Sequence, residues 1–446
     1  MWDYYTGKVV FITGGSGFLG TALVYRLVTQ APVSHLYILC RGGLPRLIQR
    51  WSEYLPPDIV KQMTDPRLVS VMDGDMLRPD VGLGPDDLDL LHRRANIIIH
   101  TASSIALLSR LEKLVGPIIN ATERLAHIAL KCDQLECFAY VSSAYANGHL
   151  FSQTDGTSGV EIQESLYPLY GSANGNDIDE SLQQELSNVR KTGSSSAFQS
   201  HDFPWAYAYA KHLTERLLTR TFASSNKNLL IIRPSIIEPA QYFPYRQFCH
   251  PMSAPHVIVA AAVALVPSRT IRLSSRFSNP EKDSSVDCVP VDVVVDRLLI
   301  HVAHGTNGAV HAVAGPARMS LEVSWSRSFK HRRIPWPLRL SWTLESWHSM
   351  AVHPIGRVYR IFGTSFEFGE EKTVALWRQL PDSERSALHL FVDKDILYHD
   401  HEHIREDHVW VCMAYLTRQR TLTRWLARLL YPPLAATVSH ETDRKM

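Results

Sequence analysis

Lys8-Val-Val-Phe-Ile-Thr-Gly-Gly-Ser-Gly-Phe-Leu-Gly20 opens the chain with a short apolar run, a glycine-rich turn and the start of a helix. Lys8–Thr13 reads as a buried strand, since four consecutive apolar residues rich in β-branched side chains suit a sheet covered on both faces. Gly14, Gly17 and Gly20 then form G-x-x-G-x-x-G. The first glycine permits the tight turn, the second a close approach of backbone to a pyrophosphate, and the third close helix–strand packing. Phe18–Gln30 reads as the helix that follows, with its free N–H groups and dipole facing the phosphates. Thr13, Gly14, Gly15, Ser16, Gly17, Phe18, Leu19 and Gly20 are therefore the candidate dinucleotide-binding residues.

Outward from this turn, strands and helices alternate. His35–Cys40, Leu68–Asp73, Ile97–His100, Glu136–Ser142 and Leu229–Arg233 read as further strands, with helices over Arg110–Lys131 and Tyr207–Phe222. That alternation predicts an α/β fold, a doubly wound parallel sheet. Residues between the fifth strand and Tyr207 fit it poorly, with glycine- and serine-rich stretches at 171–176 and 193–196, and read as an insertion flanking the site, either a lid or a surface excursion. Asp287–Asp292 reads as a short strand, with Pro290 opening a helix through Ala303. From about His331 the composition shifts toward Trp, Arg and His with helical periodicity. We expect two domains, 1–330 and a smaller, mostly helical 331–446.

The second strand ends at Cys40-Arg41, where an arginine in place of an acid suits a 2′-phosphate and so favours NADP. Arg46 and Arg50 could assist or be solvated helix residues. Asp75, after the third strand, is placed to reach the adenine amino group or to serve as a turn aspartate. The fifth strand ends in Val141-Ser142-Ser143, and a hydroxyl there can donate to a substrate carbonyl as negative charge develops on it. Ser143 is favoured over Ser142. Tyr207 and Lys211 are four apart, on one helix face, where the ammonium can acidify the phenol for proton delivery and hold the nicotinamide ribose, which makes Lys211 a cofactor-binding candidate as well. Tyr209, two residues before the lysine, faces elsewhere. Ser143, Tyr207 and Lys211 are the candidate catalytic residues of a hydride-transfer enzyme.

These residues resemble the extended short-chain dehydrogenase/reductases of Rossmann fold, specifically the fatty acyl-CoA reductase (male-sterility) branch. The resemblance covers most of the chain. It rests on Gly7–Gly20, on Ile97–Ser103 with Asn120, on Tyr140–Tyr145, and on Ile232–Ile237 and Asp287–Asp296, with Ser365–Phe368 and Leu380–Phe391 resembling the family's C-terminal domain. It implies NADPH-dependent reduction of an acyl-CoA thioester to an alcohol through an aldehyde, with Ser143, Tyr207 and Lys211 in the catalytic roles. The sequence departs from the family at Glu238-Pro-Ala-Gln-Tyr-Phe-Pro-Tyr245, in place of a Pro/Gly/Trp turn, and at Ile396–His403. Both regions are expected to shape the acyl pocket. Other readings are a stand-alone reductase of a carrier-bound polyketide or peptide thioester, a sugar or sterol dehydrogenase/epimerase, and a non-catalytic NADP-sensing module.

The remaining features bound this reading. A formal charge of +2 gives no field that suggests nucleic acid. Six scattered cysteines without a C-x-x-C pair read as reduced, buried thiols of an intracellular protein. Met1–Lys8 runs straight into the first strand, so no signal peptide is expected, and the apolar run Val257–Pro267 is too short to span a membrane and reads as a buried helix. His399, His401 and His403 with Asp400 and Glu402 read as a structural or surface cluster rather than a metal centre, so no metal is expected. Arg420, Arg424 and Arg428, interleaved with Trp425, Leu426, Leu429 and Leu430, could rest on a membrane surface or pack on the core. The expected location is cytoplasmic or peripherally membrane-associated.

Overall fold

Apolar side chains that alternate along a strand point to opposite faces, so a continuously apolar strand needs cover on both. The computed structural model, which describes residues 1–169, 175–399 and 405–418 with Trp425, Ala427 and residues 429–431, supplies that cover. Seven strands form the main sheet: β1 (Val9–Thr13), β2 (His35–Cys40), β3 (Val69–Asp73), β4 (Ile97–His100), β5 (Cys137–Val141), β6 (Asn228–Pro234) and β7 (Gly308–Ala312). Their order is β7-β6-β5-β4-β1-β2-β3, and every pairing is parallel.

The helices that matter here are α1 (Phe18–Gln30), α2 (Gly43–Trp51), α3 (Ala121–Lys131), α4 (Gly175–Thr192), α5 (Ala206–Phe222), α6 (Pro255–Leu265), α7 (Val291–Ala303) and α8 (Leu321–Phe329). Val10, Ile12, Ile38, Ile97 and Ile99 pack on one face of the sheet with α1 and α7. Phe11, Leu39, Ile98 and Phe138 pack on the other, against Leu125 and Ala129 of α3 and Leu218 and Phe222 of α5. Successive strands are laid down outward from β1 on one side (β2, β3) and from β4 on the other (β5, β6, β7), and this switch in strand order leaves the crevice at the C-terminal ends of β1 and β4 as the place where such sheets take ligands.

The single helix expected over Arg110–Lys131 is instead Leu111–Leu114, a π turn over Val115–Asn120, and then α3. Pro117 lies inside that turn. It has no N–H to donate, and its ring crowds the carbonyl four residues back, so the wider turn accommodates it. The insertion before α5 holds α4, which packs against α5, and a strand Val160–Ile162; residues 170–174 lie outside the described residues.

Beyond 330 the chain does not form helices alone. Arg339–Thr343 pairs in parallel with Thr270–Ser274, and Phe366–Phe368 with Val160–Ile162, so late segments interleave with early ones. The run from Val257 onward forms the buried α6, and among the described residues no helix is long and apolar enough to cross a membrane. All six cysteines are buried free thiols.

Candidate active site

The glycine turn sits at this switch in strand order. Gly17 N–H donates to Gly14 O at 2.9 Å, closing the turn, and Gly14 has φ +80°, a backbone that disfavours a side chain. A Cβ on Gly14 would lie 2.6 Å from Ala102 N, and one on Gly20 only 2.1 Å from Gly14 O. Gly17 differs: it is exposed, and its Cβ would meet Gly14 O at 3.2 Å and otherwise open space. The backbone there is bare at the start of α1, which is the cradle a pyrophosphate requires. Buried Trp51, at the end of α2, donates from Nε1 to Gly15 O at 3.1 Å and pins the turn from below.

Arg41 and Asp75 come together at the ends of β2 and β3, with 3.9 Å between guanidinium and carboxylate. Arg41 is 75% exposed, and Asp75 accepts from Leu77 N–H at 3.0 Å. Asp73 fixes the loop after Arg41 by accepting from Gly42 N–H at 2.8 Å. Arg46 and Arg50 are bonded instead to Gln49 and Glu53, three residues on in each case.

Lys211 is the junction of the candidate catalytic groups. Fully buried on α5, its Nζ donates to Val141 O, the last carbonyl of β5, at 2.7 Å and lies 5.9 Å from the Tyr207 ring. The lysine thereby ties the helix bearing Tyr207 to the strand end that delivers Ser142 and Ser143. Ser143 adopts extended backbone and accepts from Tyr145 N–H at 3.3 Å, capping the turn that follows. The Ser142 hydroxyl is buried without a hydrogen bond. Burial pulls the Lys211 ammonium down to about 7, opposed by Glu215, and burial pushes the Tyr207 phenol above its ordinary value.

Tyr209 has a different environment. Its Oη lies 2.6 Å from both Glu185 Oε1 on α4 and Ser195 Oγ, in a buried network.

Three supports were not singled out from sequence. Arg233 of β6 donates to both oxygens of Glu215, at 2.9 and 2.6 Å, with both groups buried one turn below Lys211. His100, at the end of β4, bridges Thr13 and Thr122 at 2.7 and 3.0 Å, and burial and Lys211 hold it neutral, down to about 3. Trp51 is the third. A polar residue ending an apolar strand was the available signal for His100, and an Arg-Pro strand ending for Arg233; Trp51 carries no local signal. Of the other expectations, residues 400–404, Arg420, Arg424, Leu426 and Arg428 lie outside the described residues. Trp425 and Leu429 are exposed.

Compared with known proteins, residues 12–298 match the family model described as "Male sterility protein". The chain is similar to putative fatty acyl-CoA reductase CG8303 of Drosophila melanogaster, with 26% identity over 309 residues covering 67% of this chain and 52% of that protein. With fatty acyl-CoA reductase 1 of Homo sapiens the identity is 28% over 314 residues, covering 67% and 55%. The chain thus spans about half the length of the curated relatives it matches. Among solved structures, the terminal R domain from the myxalamid PKS-NRPS biosynthetic pathway superposes with a TM-score of 0.56 at 14% identity, covering 88% of this chain and 91% of that one. UDP-glucuronic acid 4-epimerase from Bacillus cereus, in complex with NAD, gives 0.53 at 13% identity, covering 91% and 99%. At those identities the likeness is one of fold.

Proposed function

The chain belongs to the male sterility protein family, and on that premise we propose that it reduces acyl thioesters with NADPH, fatty acyl-CoA foremost, releasing CoA and yielding alcohol through the aldehyde. The observation that carries this reading is the 2.7 Å bond from Lys211 to Val141 O, which holds the helix of Tyr207 against the serine strand end. A nicotinamide dinucleotide is the cofactor, and when bound it supplies a hydride to the acyl carbonyl carbon. NADPH is the proposed form because Arg41, exposed at the end of β2, offers a guanidinium suited to an adenosine 2′-phosphate.

The chain's own residues do the rest. The Ser143 hydroxyl donates to the carbonyl oxygen and stabilises the charge that develops there. Tyr207 passes its phenolic proton to that oxygen, and Lys211 holds the phenol's helix in register. The carbon–sulfur bond then breaks, the thiol leaves with one proton, and a second reduction converts aldehyde to alcohol. Glu215, neutralised by Arg233, keeps the base of this face fixed.

We also propose a division into two units, 1–330 and 331–446, and contact of an intracellular protein with a lipid surface through the exposed Trp425 and Leu429, which liposome co-sedimentation tests. The reaction itself is tested by NADPH oxidation with palmitoyl-CoA, following free thiol and lipid product. Two NADPH consumed per CoA released, with fatty alcohol formed and the Tyr207→Phe variant inactive, supports the proposal. One NADPH with aldehyde restricts it to a single reduction. No turnover with CoA esters but turnover of a carrier-bound thioester reassigns the acyl donor.

A further inference from the structure

Four elements converge on a buried polar cluster outside the Ser143–Tyr207–Lys211 constellation. The strand Ile236–Glu238 pairs in parallel with Cys288–Pro290, while α6 brings His256 in its first turn and α8 brings Ser324. Glu238, His256 and Cys288 are 0, 5 and 1% exposed, among the apolar side chains of Ala254, Val257, Val289 and Leu321. One ligand atom from each lies within 4.8 Å of the other two.

The carboxylate of Glu238 is shared by the His256 imidazole and the Cys288 thiol, so the three side chains already converge their donor atoms on one point of the apolar core. One oxygen, one nitrogen and one sulfur donor is a borderline-soft set that suits zinc, and three protein ligands are enough to hold it. The histidine is oriented as a metal ligand would be. Its Nδ1 faces the cluster, 2.7 Å from Glu238 Oε1, and its Nε2 lies 3.4 Å from Ser324 O. A ring whose second nitrogen donates to a backbone carbonyl has its tautomer and direction fixed for ligation.

We propose that Glu238, His256 and Cys288 bind one zinc ion, which clamps the strand pair to α6 and α8. Binding forms one zinc bond each to oxygen, nitrogen and sulfur. It expels the thiol proton of Cys288 and the proton held between Glu238 and His256, so a doubly charged ion replaces two protons and the net charge of the core is unchanged.

The test uses the full chain, stripped with a chelator and titrated with Co²⁺ as a visible stand-in for zinc. One equivalent should produce a near-ultraviolet thiolate-to-cobalt absorption that added Zn²⁺ abolishes, and zinc should raise the melting temperature. The Cys288→Ser variant should lose the absorption, and Cys412→Ser, at another buried cysteine, should keep it. The His256→Gln variant should bind Co²⁺ at least tenfold more weakly. X-ray absorption of the zinc-loaded native chain should show one sulfur neighbour at about 2.3 Å; this needs no variant and stands if Cys288→Ser does not fold. A native chain with no sulfur-to-cobalt absorption at saturating Co²⁺, a zinc shell of oxygen and nitrogen only, or an absorption that survives in Cys288→Ser would overturn the proposal.

Discussion

Two tyrosines two residues apart on one helix show how position decides what a side chain does. Tyr207 shares a face with Lys211, whereas Tyr209 donates into the buried network of Glu185 and Ser195. Replacing Tyr207 by Phe removes the proposed proton donor, and turnover should fall by roughly 10²–10⁴ with stability little changed. Tyr209→Phe leaves a buried carboxylate short of a donor, a cost of about 1–3 kcal/mol, with turnover of the folded protein near native. Urea unfolding and NADPH oxidation, measured on both variants, separate the two roles. Lys211 makes a pH prediction. Its folded pKa of about 7 lies below the unfolded value of about 10.4, so between these values the unfolded chain binds more protons. Native stability should therefore rise with pH from 7 to 9 relative to Lys211→Met, whose own curve lacks this contribution; urea midpoints of both proteins across that range read the difference. A native curve that runs parallel to the variant's would mean that Lys211 is charged in the folded protein. Arg41→Ala should raise the KM for NADPH and leave that for NADH unchanged, as steady-state kinetics with each cofactor would show.

At the scale of the element, the glycine turn separates folding from binding. Gly20→Ala drives a methyl into Gly14 O, at 2.1 Å, where only backbone could give way. It should destabilise the protein by more than about 2 kcal/mol and abolish cofactor binding with it. Gly17→Ala meets one backbone oxygen at 3.2 Å and otherwise open space, so the fold should persist while NADPH affinity drops. Fluorescence titration with NADPH beside thermal melting distinguishes them; unchanged affinity in Gly17→Ala would place the pyrophosphate elsewhere. Elements like this one were legible because a local pattern determines them. The ends of α1, β2 and β4 in the structure coincide with those read from sequence, since a buried parallel strand announces itself as an apolar run and its helix by 3.6-residue periodicity. The π turn at Val115–Asn120 was not read, because the apolar spacing on both sides of Pro117 continues as if the helix were regular. The same holds for the site. Spacing alone brought Tyr207 and Lys211 onto one face, but the contact of Lys211 with Val141 O and of Trp51 with Gly15 O joins segments 70 and 36 residues apart, which no local pattern encodes.

For the whole molecule, the composition shift near 331 marks a boundary in the sequence that the packing crosses repeatedly. Arg26 of α1 forms a two-pronged ion pair with Asp296 of α7 and donates to Ala387 O at 2.8 Å. Arg297, fully buried, donates to Leu390 O at 2.7 Å and to Glu370 at 2.6 Å. Phe366 and Phe368 stack edge-on against Tyr145, just beyond Ser143. These links are invisible in sequence because the strands involved are too short to carry a pattern of their own. They predict what truncation after residue 330 does. Val160–Ile162 loses Phe366–Phe368, Thr270–Ser274 loses Arg339–Thr343, and Arg297 is stranded without its carboxylate. Stranding one buried charge costs about 3–5 kcal/mol, a large part of the total stability of an ordinary domain. The shortened chain should therefore accumulate as aggregate, while the full chain unfolds in a single transition monitored together by circular dichroism and tryptophan fluorescence. A soluble 1–330 fragment that binds NADPH would show instead that the dinucleotide fold is self-sufficient, and that the later strands serve to wall the thioester site rather than to hold the sheet together.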